Sequence, residues 1–161
     1  MSFLYYMKIK LKNMRGENIM SYENENNRER SFKIIENWIK SNTKVGYKSL
    51  EESEHQGFMY TLTVDGITFN SIIRILDEGL TFETSLDVMV NKQFRSVVAR
   101  YCQKIEPRFG YVFLDNISGN IVFHNESFLV DGAISEEILD VFEDMAITVL
   151  SAHYDNFKRL A

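Results

Sequence analysis

Three histidines, one cysteine and several neighbouring carboxylates are the side chains of this sequence that could hold a metal, act as a nucleophile or move a proton. His55 falls in a polar connection, His124 in an alternating segment and His153 on the apolar stripe of a helix. None has a second ligand type at the short spacing that zinc sites use, so no metal site is expected. His153 reads as a core-edge histidine whose ring nitrogen finds a neighbour. Cys102 stands mid-helix among apolar residues, away from any helix N-terminus or adjacent histidine. A reactive thiol needs an electropositive, partly exposed setting, so Cys102 is expected to behave as a small buried hydrophobe. Asp115, Asn116, Ser118 and Asn120 surround Gly119 like half of an oxygen-rich cation loop. The acids at alternate positions and the distant glutamate of such a loop are missing, and a hairpin turn accounts for every one of these residues. Glu136, Glu137, Glu143 and Asp144 share a helix and read as a solvated face. Glycine-rich phosphate loops, G-x-S-x-G and H-E-x-x-H are all absent from the sequence. The expectation is a protein without catalytic residues, cofactor or metal.

The elements that would position these residues can be read from hydrophobic periodicity. A first helix is expected from about Glu29 to Ser41, capped by Asn26, with Phe32, Ile35, Trp38 and Ile39 on one face. Val45 to Leu50 is a weak strand. Phe58, Tyr60, Leu62 and Val64 then alternate with Met59, Thr61 and Thr63, the period of two of a half-buried strand. Asp65-Gly66 is the dipeptide of a two-residue hairpin, because both turn residues need positive φ. Ile67 to Leu76 returns, Asp77-Glu78-Gly79 turns again, and Leu80, Phe82, Thr84 and Leu86 mark the next strand. A second helix is expected over Asn91 to Ile105, with Val90, Phe94, Val97, Val98, Tyr101, Cys102 and Ile105 on one stripe, stopped by Pro107. Phe109 to Leu114 and Asn120 to Phe128 form a hairpin. The last helix follows Ser135 with its stripe on Ile138, Leu139, Phe142, Met145, Ala146, Val149, Ala152/His153 and Phe157, acids at its start and Lys158-Arg159 at its end. The fold class is α+β, an antiparallel sheet of about five or six strands with three helices packed mainly on one face.

At 161 residues the chain has the length of one domain, and with 45% apolar residues it can fill a core without disulfides. Its formal charge is −5, against a nucleic-acid surface, which needs a clustered basic footprint. Lys8, Lys10, Lys12 and Arg15 against Glu17 make residues 1–19 locally basic, at +3, so the remainder stands at −8. Cys102 is alone, so no intrachain disulfide forms and a reducing, cytoplasmic setting is expected. The longest apolar run is too short to cross a bilayer, so no membrane is expected. Residues 1–27 read as a flexible N-terminal extension, in which MKIKLK (Met7–Lys12) alternates like a short strand, and residues 28–161 as the single domain.

The segments FRSVVARYCQKIEPRFGYVFLDNISGNIVF (Phe94–Phe123) and VDGAISEEILDVFEDMAITVLSAHYDNFKRL (Val130–Leu160) resemble the YbjN-like family of small bacterial proteins, with the type III secretion chaperone-like order of elements. Leu114-Asp115, Gly119, Asp131-Gly132 and Tyr154 carry the resemblance, which covers about residues 30–160. Ile105-Glu106-Pro107 departs from it, standing where the family more often has an asparagine. The resemblance implies no enzyme and transfers no functional residue. Its chaperone relatives are acidic homodimers that hold unfolded segments of a partner.

The expected function is thus a non-catalytic protein-binding module, chaperone-like or regulatory, acting as a homodimer. The alternative is an adaptor or immunity-type protein that binds one folded partner, and a third class is an enzyme whose site is assembled from distant residues. One strand points to a surface. If Ile67, Phe69, Ile73 and Ile75 join the core, the opposite face carries Ile72 and Leu76, and with Met59 these form an apolar patch among threonines and charges. Met59, Ile72 and Leu76 are the expected partner-binding residues.

Overall fold

The computed structural model describes residues 17–42, 45–51, 56–76, 79–128 and 134–161. The Met7–Lys12 segment, His55, Asp77-Glu78 and Asp131-Gly132 lie outside them. Helix α1 (Glu17–Ser41) leads into strands β1 (Val45–Glu51), β2 (Gln56–Val64), β3 (Ile67–Ile75) and β4 (Gly79–Met89). Helix α2 (Arg95–Cys102), the hairpin β5 (Tyr111–Leu114) and β6 (Asn120–Phe128), and helix α3 (Glu136–Lys158) complete the chain. The six strands form one antiparallel sheet in the order β1-β2-β3-β4-β6-β5. The architecture is α+β, as the alternation and helical periods require.

The β2–β3 turn follows directly from its dipeptide. Asp65 and Gly66 have φ of 51° and 78°, the doubly positive geometry that matches strand twist. The resulting register pairs Val64 with Ile67 and Phe58 with Ile73, so the apolar sets of both strands share one face. Phe58, Tyr60, Phe69, Ile73, Ile75, Leu80, Phe82 and Leu86 are buried there. Helix α1 packs over β2 and β3, and α3 over β4 and β6, on that same face. Trp38 and Ile39 of α1 and Leu139 and Phe142 of α3 complete the core over that end of the sheet. Val98 and Cys102 of α2, with Ala146, Leu150 and Phe157 of α3, complete it at the other. Each such large side chain contributes about 1.5–3 kcal/mol on burial.

Most polar groups within this core are paired, although Ser31 Oγ on α1 and Asn125 Nδ2 on β6 are buried without a partner among the described residues. Ser71 and Thr84 meet at 2.9 Å across β3 and β4. Trp38 donates its indole N–H to Asp140, and the Tyr60 hydroxyl donates to Glu143, tying α1 and the sheet to α3. Burial, and then the negative charge of Glu143, raises the Tyr60 phenol well above its ordinary pKa. Glu143, expected on a solvated face, is instead half-buried against this phenol, whereas Glu136, Glu137 and Asp144 are exposed.

Two helices differ from the sequence reading at their ends. Helix α1 begins at Glu17, twelve residues before the expected start, so Asn26 is not its cap and the boundary expected after residue 27 falls inside the helix. An anchored helix extends at little cost into a run that has no apolar period of its own, because nucleation has already been achieved. The second helix splits into a 3₁₀ turn over Lys92–Phe94 and the short α2, and it ends three residues before Ile105. Val97, assigned to the buried stripe, is 51% exposed. The 3₁₀ turn winds more tightly than 3.6 residues per turn and rotates Val97 off the stripe. Arg95 then reaches back, donating to the backbone oxygens of Val90, Asn116, Ile117 and Ser118. This clamps the β5–β6 turn, where Gly119 at φ 84° leaves room for the guanidinium that a Cβ would strike. Asp115 accepts from the Ser118 hydroxyl and from the Ile117 and Ser118 N–H groups, as a turn residue rather than a cation ligand.

Candidate functional site

Among the described residues the helices cover one side of the sheet, and the residues that alternate to the other side form the candidate site. Met59 on β2 lies directly across from Ile72 on β3, and Ile72 in turn faces Glu83 on β4. Met59 is 40% exposed and Ile72 half-buried. His124 on β6 and Tyr111 on β5 continue that row, and Asn70, Ser85, Val122 and Phe113 make the next one. Pleating places all of these on the open face, because successive residues of a strand point to opposite sides.

A charged relay crosses the face between the apolar residues. Arg74 donates to Glu83 at 2.7 Å, and His124 Nδ1 lies 3.0 Å from the other carboxylate oxygen. An ionised carboxylate only accepts, so the Nδ1 hydrogen is on the imidazole and points at Glu83. Burial pushes the Glu83 carboxyl upward, but the hydrogen bonds and charge of Arg74 and His124 outweigh it and hold the group below its ordinary range. Tyr111 lies over the imidazole with ring centroids 4.9 Å apart. Asn70, Ile72, Arg74, Glu83, Phe113 and Val122 line a shallow depression of about 310 Å³. Its floor is held in register by Thr61 donating to Asn70 and by Ser85 donating to the Asn70 carbonyl.

Such a face can bind an extended or flat partner through apolar contact with a few fixed polar groups. The Ser85 hydroxyl is committed to a backbone oxygen and makes no hydrogen bond to the imidazole. Among the described residues no three His, Cys, Asp or Glu side chains converge to hold a metal ion. No helix among the described residues is long and apolar enough to cross a membrane.

The expected surface residues fall in two places. Met59 and Ile72 meet as a cross-strand pair. Leu76 shares their face but lies past the last paired residue of β3, with Arg74 between it and Ile72, about 13 Å along the strand. Its backbone N–H closes the β3–β4 turn onto Gly79. The relay of Arg74, Glu83 and His124 was not foreseen, although Arg74 and Glu83 flank a legible turn as a diagonal pair, Arg74 opposite Thr81 and Glu83 opposite Ile72. Of the other singled-out residues, His153 is half-buried with its Nδ1 2.8 Å from the Tyr101 hydroxyl, and Asn156 donates to the same hydroxyl. Cys102 is buried, and burial pushes its thiol up to about 11.

No protein-family model matches the chain. Nor does any curated protein sequence. Among solved structures, the crystal structure of YbjN, a proposed transcription regulator from E. coli, superposes with a TM-score of 0.54. The fold is YbjN-like. The superposition covers 78% of this chain and 92% of the YbjN chain, at 15% sequence identity. At that identity the likeness speaks for the fold alone, and the open face of this YbjN-like sheet is read from its own residues.

Proposed function

We propose that this chain is a non-catalytic protein-binding module, chaperone-like or regulatory, that acts as a homodimer and takes a protein partner on the open face of the sheet. One observation carries the reading: a six-stranded sheet that the described helices cover on one side, whose other side holds Met59, Ile72, Phe113, Val122 and Tyr111 around a shallow depression. Antiparallel sheets tolerate water on one face when that face is polar. A cluster of large apolar side chains there is what association surfaces carry. The resemblance to secretion chaperones supports an extended segment as the ligand, and the described role of YbjN supports a regulatory one. The shallowness of the depression and the commitment of Ser85 elsewhere support binding over catalysis. The net charge of −5 supports a protein partner over nucleic acid.

The test is Ile72→Glu. The side chain is only half-buried, so circular dichroism and thermal midpoint should stay at wild-type values while affinity for a partner isolated from the native host, and then purified, falls at least about tenfold. Unfolding of the variant would place Ile72 in the core, and unchanged affinity would remove the open face as the binding surface. Whether the captured partner binds as an extended segment or as a folded protein separates the chaperone-like reading from the adaptor one.

A further inference from the structure

Helix α3 carries an apolar flank beside its buried face, in which Met145 and Val149 pack against the molecule's own core while Ile138 and Val141 stay exposed. Leu139, Phe142, Ala146, Leu150 and Phe157 supply the buried face. At 100° per residue, Ile138, Val141, Met145, Val149 and Ala152 fall on the adjoining flank at i, i+3, i+7, i+11 and i+14, and all five are apolar. Ile138 is 37% and Val141 50% exposed, Ala152 is exposed, and Met145 and Val149 are half-buried. The strip is about 21 Å long at 1.5 Å per residue. Its C-terminal end opens into an apolar groove of about 330 Å³ between α2 and the end of α3, lined by exposed Val97 and by Tyr101, Phe157 and Leu160.

Charge is distributed along this strip with a direction. Exposed Glu137 and Asp144 flank its N-terminal half. Exposed Arg159 borders the groove at the other end, where Arg100 and Lys104 stand on the outer side of α2 and the turn that follows it. Two such strips laid parallel would set acid against acid. Laid antiparallel about a two-fold axis near the middle of α3, they put the acidic end of each against the basic end of the other, with apolar residues meeting between. A two-fold contact uses the same patch on both subunits, so the surface must be complementary to itself when reversed. This one is.

We infer that a second copy of this chain docks antiparallel along the α3 flank, with Val141 and Val97 in the apolar seam and Glu137 facing Arg159 of the other copy. The inference rests on the homodimeric part of the proposed function and gives that dimer its surface. Because α3 covers the far side of the sheet, both open faces stay free for partners.

Sedimentation equilibrium on the full chain, over a range of protein and salt concentrations, tests this. The expected result is a dimer that Val141→Glu weakens at least about tenfold, with circular dichroism and thermal midpoint unchanged. Arg159→Glu should weaken it as well, and adding Glu137→Arg to that variant should recover affinity, since the two ends are exchanged together. Ile72→Glu should leave the dimer intact. Cross-linking gives a second measurement independent of any loss of stability. A bis-maleimide should join two copies of Ala152→Cys and should not join copies of Thr63→Cys, whose cysteine stands on the open face, while buried Cys102 stays unreacted. A dimer untouched by Val141→Glu but lost in Ile72→Glu would overturn the inference alone. A monomer at every concentration would overturn both it and the dimeric reading of the function.

Discussion

The two faces of the sheet are cut from the same strands, one residue out of phase with nothing else to separate them, and they solve opposite problems. On the covered face the polar groups are few, and Ser71 and Thr84 are spent on one another at 2.9 Å. On the open face the polar groups form a frame, Arg74–Glu83–His124 with the Thr61–Asn70 bond, around apolar residues that no described helix covers. In the first case a hydroxyl serves the fold, because an unpaired one would cost stability. In the second, charges bonded to one another fix a surface whose apolar content the fold does not need.

That contrast can be broken first at its strongest point. Phe82→Ala, in the middle of the covered face and edge-on to Phe142, should lose about 3–5 kcal/mol, read as an earlier midpoint in urea unfolding. A loss no larger than that of an open-face substitution would erase the distinction. Thr84→Val keeps the shape but removes a hydroxyl that Ser71 uses, and should cost about 1 kcal/mol in the same measurement.

The open face should respond to pH rather than to packing. The Glu83 carboxyl is held below its ordinary pKa in the folded chain, so its contribution is complete above the unfolded value and is lost as pH falls through the lowered one. Glu83→Gln should therefore reduce stability slightly at neutral pH and flatten the acid limb of the stability curve below about pH 4.5, measured by chemical unfolding at stepped pH. An unchanged acid limb would show that the relay contributes nothing to folding. The smallest effect concerns Cys102, whose labelling by a maleimide should be slow in the native chain and fast in denaturant, with no change in stability on Cys102→Ala beyond about 1 kcal/mol.

The covered face was legible because its signals are local. Phe58, Tyr60 and Leu62, the Asp65-Gly66 turn, and Leu80, Phe82 and Leu86 are each readable within ten residues, and a period of two leaves no choice of side. Ser135 as a cap and the Phe142–Phe157 stripe are local as well. The open-face relay was not legible, since His124 reaches Glu83 through β4–β6 pairing across 41 residues, and no local pattern encodes which strand becomes a neighbour. The β4–β6 adjacency also brings Val122 onto the same depression as Ile72, with β4 between them, a contribution that the triplet Met59, Ile72 and Leu76 lacked. The start of α1 failed for a different reason: a solvated helix needs no apolar period, so its first residues carry no hydrophobic signal.

The strand order places β1 and β5 at the two edges of the sheet, and neither is an inviting template. β5 is four residues long, and the pairing of β1 slips between Val45 and Lys48, which breaks the flat ladder a foreign strand would extend. Exposed Lys48 adds a charge to that edge. Short, irregular and charged edges are how sheet proteins resist open-ended stacking into fibres. A chain built this way can carry apolar surface without polymerising, because growth strand by strand is blocked at both ends.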